Sequence, residues 1–251
     1  MVKYVLITGA SSGVGRETAI RLSKNWNLIL NGRDAERLDE TKSLCDKGKD
    51  ILIWNFDLTY SEKLEQDFSE WIKGKDIQVE ALIYSAGMLQ MLPLRGLKLA
   101  DFQRTYSLHV YSPALLVKML SSKRMNGQAL KSVVFISSNI SNRGAAAFSV
   151  YGSSKAALDG LMRNLAIELA PRVRVNSILP GGMVTRMTTA MYNVEAVRNE
   201  ARGNVPLGPG SPDDIASVAE FLISGDSRWM TGQQLTVDGG RTIDVTDGRG
   251  L

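Results

Sequence analysis

The sequence predicts an α/β protein: a parallel sheet of about seven strands with helices on both faces, folded as a single domain over residues 1–251. Three observations carry this expectation. Short apolar runs alternate with amphipathic stretches along the chain. The 251 residues are enough for one large α/β core. No repeat, low-complexity tract or Pro/Gly-rich linker divides them.

The strand-like runs, in order, are Tyr4–Thr8, Asn27–Asn31, Ile51–Phe56, Ala81–Ser85, Val133–Ser137, Val173–Leu179 and Gln234–Val237. A first helix follows at Arg16–Lys24. Ala35–Asp46 carries Leu38, Leu44 and Cys45, and Ser61–Lys73 carries Leu64, Phe68, Trp71 and Ile72. Two longer helices are expected near Ala100–Met125 and Tyr151–Ala170. The last is announced by Ser211-Pro212-Asp213-Asp214: a capping Ser, Pro at the first helical position, and acids in the first turn. Residues 186–209 have only a weak helical period and read as a substrate lid over the sheet. The polar tail 241–251 reads as loose or packed on a neighbouring subunit.

Hydrophobic residues at 44% and charged residues at 22% exclude disorder, collagen-like sequence and a coiled coil. The longest stretch without Asp, Glu, Lys or Arg, Ala81–Leu94, is shorter than the ~18–20 residues of a membrane span, so no membrane partner is expected. A single cysteine, Cys45, excludes an intramolecular disulfide and a Cys-rich metal centre, and no metal site is expected. The opening Val2–Ile7 reads as a strand rather than a signal peptide. With the cysteine count, it points to the cytoplasm. The net charge of +4 comes from scattered cations, which argues against a nucleic-acid partner.

The first strand runs into Thr8-Gly9-Ala10-Ser11-Ser12-Gly13-Val14-Gly15, and a helix follows. Glycines let the backbone turn sharply and approach a pyrophosphate. Amides at the helix start, with the helix dipole, favour its charge. Gly9, Ser11, Ser12, Gly13, Val14 and Gly15 are therefore candidate cofactor ligands. Further on, Tyr151-Gly152-Ser153-Ser154-Lys155 places a phenol and an ammonium one helical turn apart. A phenol of pKa about 10 is a poor acid–base catalyst near neutrality, and a neighbouring ammonium is expected to lower that value.

The Thr-Gly-x-x-x-Gly-x-Gly loop, Tyr151-x-x-x-Lys155, Ser138 thirteen residues before Tyr151, and Asn176 through Thr185 with Pro180-Gly181 resemble the short-chain dehydrogenase/reductase family, in particular its 3-oxoacyl reductase-like members. Motifs from Thr8 to Thr185 occur in the family's order. The resemblance implies a Rossmann-type doubly wound parallel sheet and hydride transfer between a nicotinamide cofactor and a carbonyl or alcohol. Tyr151 would then be the proton donor, Ser138 would orient the carbonyl, and Lys155 would lower the Tyr151 pKa and hold the nicotinamide ribose. It also implies cofactor contacts from Asp57, Leu58, Ser85, Ala86, Gly87, Pro180, Gly181, Met183 and Thr185. At the end of the second strand, Gly32 stands where an NAD-preferring relative carries an acid, and Arg33 follows. A guanidinium there suits a 2′-phosphate, so NADP(H) is expected over NAD(H).

Two departures from the family pattern stand out. The fourth strand ends Tyr84-Ser85-Ala86-Gly87, where the family usually carries asparagine ahead of Ala-Gly. In the following helix the asparagine of a Ser-Tyr-Lys-Asn tetrad falls on His109, the only histidine. His109 is therefore a candidate for the proton relay, within one water of Lys155, as well as for a packing role.

The pocket wall is expected from residues 88–94, 139–148 and 186–209. There, with Met183, the side chains of Met88, Leu89, Met91, Leu92, Leu94, Phe148, Met187, Met191 and Tyr192 suggest an apolar pocket for a lipophilic carbonyl, free or carried on coenzyme A or a carrier protein. Lys131, Arg172 and Arg174 are candidate cations for an acidic carrier. The resemblance implies a homotetramer or homodimer joined through the two long helices, with Leu161, Leu165 and Leu169 at the contact. Competing readings are a nucleotide-binding regulator that has lost turnover, and an enoyl reductase, whose Tyr and Lys are usually spaced more widely.

Overall fold

The computed structural model describes residues 1–183, 185, 188 and 205–244. Most of the expected lid, with Met187, Met191 and Tyr192, and tail residues 245–251 lie outside them. All seven expected strands form: β1 Val2–Thr8, β2 Asn27–Gly32, β3 Ile51–Asn55, β4 Ile77–Tyr84, β5 Ser132–Ile136, β6 Arg174–Pro180 and β7 Gln234–Val237. They make one parallel sheet in the order β3-β2-β1-β4-β5-β6-β7. From β1 the chain winds outward to β3, then crosses to β4 on the other side. This opens a crevice at the carboxyl ends of β1 and β4.

Alternation along the strands feeds two cores. Tyr4, Leu6, Leu82 and Phe135 pack with Phe68 of helix α3 (Ser61–Ile72) and with Leu158 and Met162 of α7 (Ser149–Leu169). Val5, Ile7, Leu28 and Ile83 pack on the opposite face. There they meet Leu22 of α1 (Gly13–Leu22), Leu38 of α2 (Ala35–Leu44) and Leu222 of α8 (Pro212–Ile223). The α8 start has the expected N-cap Ser211, Pro212 and first-turn acids, with Ser211 and Asp214 paired as a capping box.

Four expectations need correction. β4 begins at Ile77 rather than Ala81, because the register shifts there: Val79 pairs with Tyr4 and Ala81 with Val5. Glu80 is the bulged residue, and its charge, 3.4 Å from Lys3, interrupts the apolar pattern. The single helix expected over Ala100–Met125 is divided. α4 (Leu99–Tyr106) widens into a π segment, Ser107–Tyr111, before α5 (Ser112–Ser121), and Ser122 separates α6 (Lys123–Asn126). Pro113 explains the widening: it has no N–H for the carbonyl of His109, four residues back, and its ring would crowd that carbonyl. Ser112 N–H accordingly reaches back five residues to Ser107, and the orphaned Leu108 carbonyl accepts from the Tyr84 hydroxyl at 2.6 Å.

Leu169 is buried in the core rather than presented at a contact face, with Leu161 and Leu165 half-buried against it. Arg174 is no surface cation. Its guanidinium donates to the Leu222 and Ser224 carbonyls at 2.9 and 3.1 Å and to the Ser227 carbonyl and hydroxyl at 3.0 and 2.9 Å. The clamp joins β6 to the carboxyl end of α8, where a cation also opposes the helix dipole. Lys131 and Arg172 remain exposed.

Candidate active site

A cleft of about 860 Å³ runs across the carboxyl ends of the strands. Every expected site residue lines it except Gly15 and His109.

At the phosphate-loop end the wall is backbone. Gly9 has φ +67°, and a Cβ there would lie 2.9 Å from the Ala86 backbone. A Cβ on Gly15 would sit 2.3 Å from the Gly9 carbonyl oxygen, so Gly15 lies behind the loop and keeps it flat. Ser12, the N-cap of α1, is extended and its side chain makes no capping bond, leaving the first amides of the helix available to an anion. Arg16 braces the loop from outside, donating to the Ser11 carbonyl and to Glu40, each at 2.9 Å. A glycine cradle that any Cβ would fill, ahead of uncapped amides, fits a dinucleotide pyrophosphate.

At the end of β2, Gly32, Arg33 and Arg37 line the cleft. The nearby acid, Asp34, caps α2 by accepting from Arg37 N–H at 3.2 Å. Arg37 was not anticipated, although its place one turn after Arg33 on a helix start was a readable signal. Asp57 turns back to accept from Thr59 N–H at 2.9 Å. Between the ends, Thr8 ties β4 to β1: its hydroxyl accepts from Ser85 and Ala86 N–H at 3.1 and 3.0 Å.

The other end is built from side chains. Ser138 follows β5 and caps the 3₁₀ turn Asn139–Asn142; its hydroxyl accepts from Ile140 N–H at 3.2 Å and hydrogen-bonds the Tyr151 phenol. Lys155 is buried, donates to the Ile136 carbonyl at 2.8 Å, and lies 6.0 Å from the centre of the Tyr151 ring. Burial pushes its amine down to about 8, with Asp159 acting in the opposite sense. The expected lowering of the Tyr151 phenol does not occur in this geometry. Burial pushes it up, and only the bond to Ser138 acts against that.

Of the two roles expected of His109, its contacts fit the packing one. It is fully buried, off the cleft, and both ring nitrogens are engaged. Nε2 accepts from Met88 N–H at 3.1 Å, so the proton sits on Nδ1, which faces the Ser154 hydroxyl at 2.8 Å. Ser154 in turn donates to the Tyr151 carbonyl at 2.7 Å. The imidazole pins the segment after Gly87 to α7, and burial, then the Lys155 charge, drives its pKa well below the usual value. It is a neutral brace.

Of the expected apolar wall, Met88, Leu89, Phe148 and Met183 line the cleft, while Met91, Leu92 and Leu94 do not. Met91 and Leu94 are exposed. Arg143 and Val205 line it as well, from the expected wall segments 139–148 and 186–209, and Arg241 joins them from the start of the tail. Among the described residues no helix is long and apolar enough to cross a membrane, and no group of three His, Cys, Asp or Glu side chains could hold a metal ion.

A family model described as enoyl-(acyl carrier protein) reductase matches residues 9–242. The chain is 31% identical over 247 residues to the 7alpha-hydroxysteroid dehydrogenase of Escherichia coli K12, covering 95% of this chain and 93% of that one. It is 30% identical over 251 residues to a 3-oxoacyl-[acyl-carrier-protein] reductase of Thermotoga maritima, covering 96% and 98%. Among solved structures it matches a 4-hydroxyisoleucine dehydrogenase complexed with NADH, with TM-score 0.88 and 26% identity over 96% of this chain and 99% of that one.

Proposed function

The chain belongs to the short-chain dehydrogenase/reductase family and is an NAD(P)-dependent oxidoreductase, and from this premise we propose that it is an NADPH-preferring reductase of a ketone, working through Ser138, Tyr151 and Lys155. The observation that carries the reading is the convergence of these three side chains on one end of a cleft whose other end is a phosphate cradle. The nicotinamide cofactor, when bound, supplies the hydride. The backbone of Ser11 through Val14 would hold its pyrophosphate, and Arg33 and Arg37 a 2′-phosphate.

The chain's own residues handle the proton. The Ser138 hydroxyl orients the carbonyl oxygen and donates to it as charge develops. Tyr151, whose phenol burial keeps protonated, is the group positioned to give its proton to that oxygen. Lys155 supplies the compensating positive charge behind the phenol and a donor for the nicotinamide ribose. Met88, Leu89, Ile140 and Phe148 exclude water from the reacting end and favour a lipophilic ketone, of the kind a 3-oxoacyl or polyketide-type chain presents.

The description of the matching family model favours a second reading, reduction of a carbon–carbon double bond. The three-residue gap between Tyr151 and Lys155 supports the carbonyl instead. NADPH oxidation measured against 3-oxoacyl thioesters, enoyl thioesters, quinones, steroids and sugars tests both. Turnover of a ketone with little of the enoyl series is expected. Turnover of enoyl thioesters alone overturns the ketone assignment, and no turnover of any member with tight NADPH binding favours a regulator.

A further inference from the structure

Most buried side-chain atoms without a hydrogen-bond partner belong to three elements that pack on one another. Among the described residues they are both carboxylate oxygens of Asp159, the hydroxyls of Ser177 and Ser141, and, elsewhere in the molecule, Asn31 Oδ1. Asp159 is on α7 and 2% exposed. Ser177 is on β6, and Ser141 lies in the 3₁₀ turn Asn139–Asn142 that follows Ser138.

Helical spacing shows where the carboxylate points. Gly152, Asp159 and Ala166 are seven apart and share one stripe of α7. A Cβ on Gly152 would lie 3.2 Å from Ile140 of the 3₁₀ turn. At the other end, Ala166 Cβ would be 3.7 Å from a Cβ on Gly232, whose N–H is bonded to the Val175 carbonyl. Asp159, midway, lies over β6. Ser177 shares a strand face with Val175, which packs with Met162 and Ala166 of α7. Carboxylate and hydroxyl are thus both placed on the α7–β6 layer. A buried carboxylate without donors is a costly arrangement unless water or a cation offsets it.

The cation is one turn away. Lys155 and Asp159 stand at i and i+4, both buried, yet neither Asp159 oxygen takes a hydrogen bond from the ammonium, which donates to Ile136. Few other charges face Lys155. The π segment brings His109, neutral, and its own helix brings Tyr151. From β5 come only the Ile136 carbonyl and the Ser137 hydroxyl, which donates to the Lys155 carbonyl at 3.5 Å. Arg163, a turn beyond Asp159, is exposed and lies near Gly160.

We propose that Asp159 is the counter-charge of Lys155, acting through water that it holds with Ser177 and Ser141 between α7 and β6, and so keeps the catalytic ammonium charged and in position. The opposed effects of burial and of Asp159 on the Lys155 amine agree with this. Asp159 is thus a positioning residue, not one that touches substrate. The proposal rests on the reading of Lys155 as the site's ammonium but not on any substrate.

The test is an NMR titration of the full chain labelled at lysine Cε, without cofactor or substrate, with the Lys155 signal identified by its loss in Lys155→Met. Asp159→Asn removes the charge and keeps the shape. Its Lys155 midpoint should fall by about one pH unit or more, a tenfold loss of proton affinity. Asp159→Glu should stay within a few tenths of wild type, and Ser177→Ala should move in the Asn direction by less. Where the Asn variant does not fold, Asp159→Leu, beside Leu158 and Met162, should give the same fall. A wild-type midpoint in a folded Asn or Leu variant overturns the proposal. A purely structural role would leave the midpoint in place. Because no turnover is read, a wrong reaction assignment and a wrong counter-charge fail separately.

Discussion

At the β1–α1 end the cleft is walled by main chain, and at the β5–α7 end by side chains bound to one another. Gly9 and Gly15 touch backbone so closely that a single added carbon collides, whereas Ser11, Ser12 and Val14 contribute amides that any residue carries. Around Tyr151 the reverse holds. His109, Ser154, Ser138 and Lys155 form a set of specific donors and acceptors on an ordinary helix and strand end. The first end is a shape, sensitive to bulk, and the second is a chemistry, sensitive to identity. Substitutions should therefore separate: bulk at the first end should abolish binding, and isosteric change at the second should abolish turnover while sparing binding.

The largest effect expected is from Tyr151→Phe, which removes one oxygen. Turnover should drop by roughly 10²–10⁴-fold with NADPH affinity within a few-fold, measured by initial rates and cofactor fluorescence. A variant retaining a tenth of wild-type kcat would break the contrast. Gly9→Val should do the opposite and abolish detectable cofactor binding in a chain that still folds by circular dichroism, since φ +67° and the Ala86 backbone both exclude the side chain. Arg33→Ala should weaken NADPH by about 1.5–3 kcal/mol and leave NADH nearly unchanged. Equal weakening of both removes Arg33 from the site.

His109→Leu comes next. Met88 N–H loses its acceptor, and the cost should be about 1–3 kcal/mol of stability, read by urea denaturation. The wild-type pH–rate profile should carry no limb near pH 6.5 from this residue, because the imidazole stays neutral. The smallest effect is on pH. Lys155 is charged below its value of about 8, so cofactor affinity should hold below that pH and fall above it, a dependence lost in Lys155→Met.

The sequence predicts the two ends unequally for the same reason. Glycine spacing after a first strand is a local signal of a local shape, so the loop was readable, as were the seven strands along the chain, whereas their order across the sheet was not. Strand alternation failed only where Glu80 bulges out of β4. At the side-chain end, the family resemblance marked Ser138, Tyr151 and Lys155 but not what burial does to them. For His109 the sequence allows both a packing and a relay role, and the choice between them was not legible: it depends on which nitrogen faces Met88. The π segment was hidden because Pro113 also suits the first turn of a new helix. Arg143 lies in a segment expected to wall the pocket, whereas Arg241 joins the cleft through tertiary contacts alone.

The Arg174 clamp bears on how far the fold can be divided. A fragment ending at Pro180 would hold the phosphate loop, Ser138, Tyr151 and Lys155, every group the reaction is assigned to. It would also hold a guanidinium whose acceptors, from Leu222 to Ser227, belong to the missing piece. With them go Leu222 and Ile215 of the core and the strand that covers β6. The catalytic set is therefore not an autonomous unit, and the last third of the chain acts as a keystone: split-protein or truncation designs should cut after β7, not before α8.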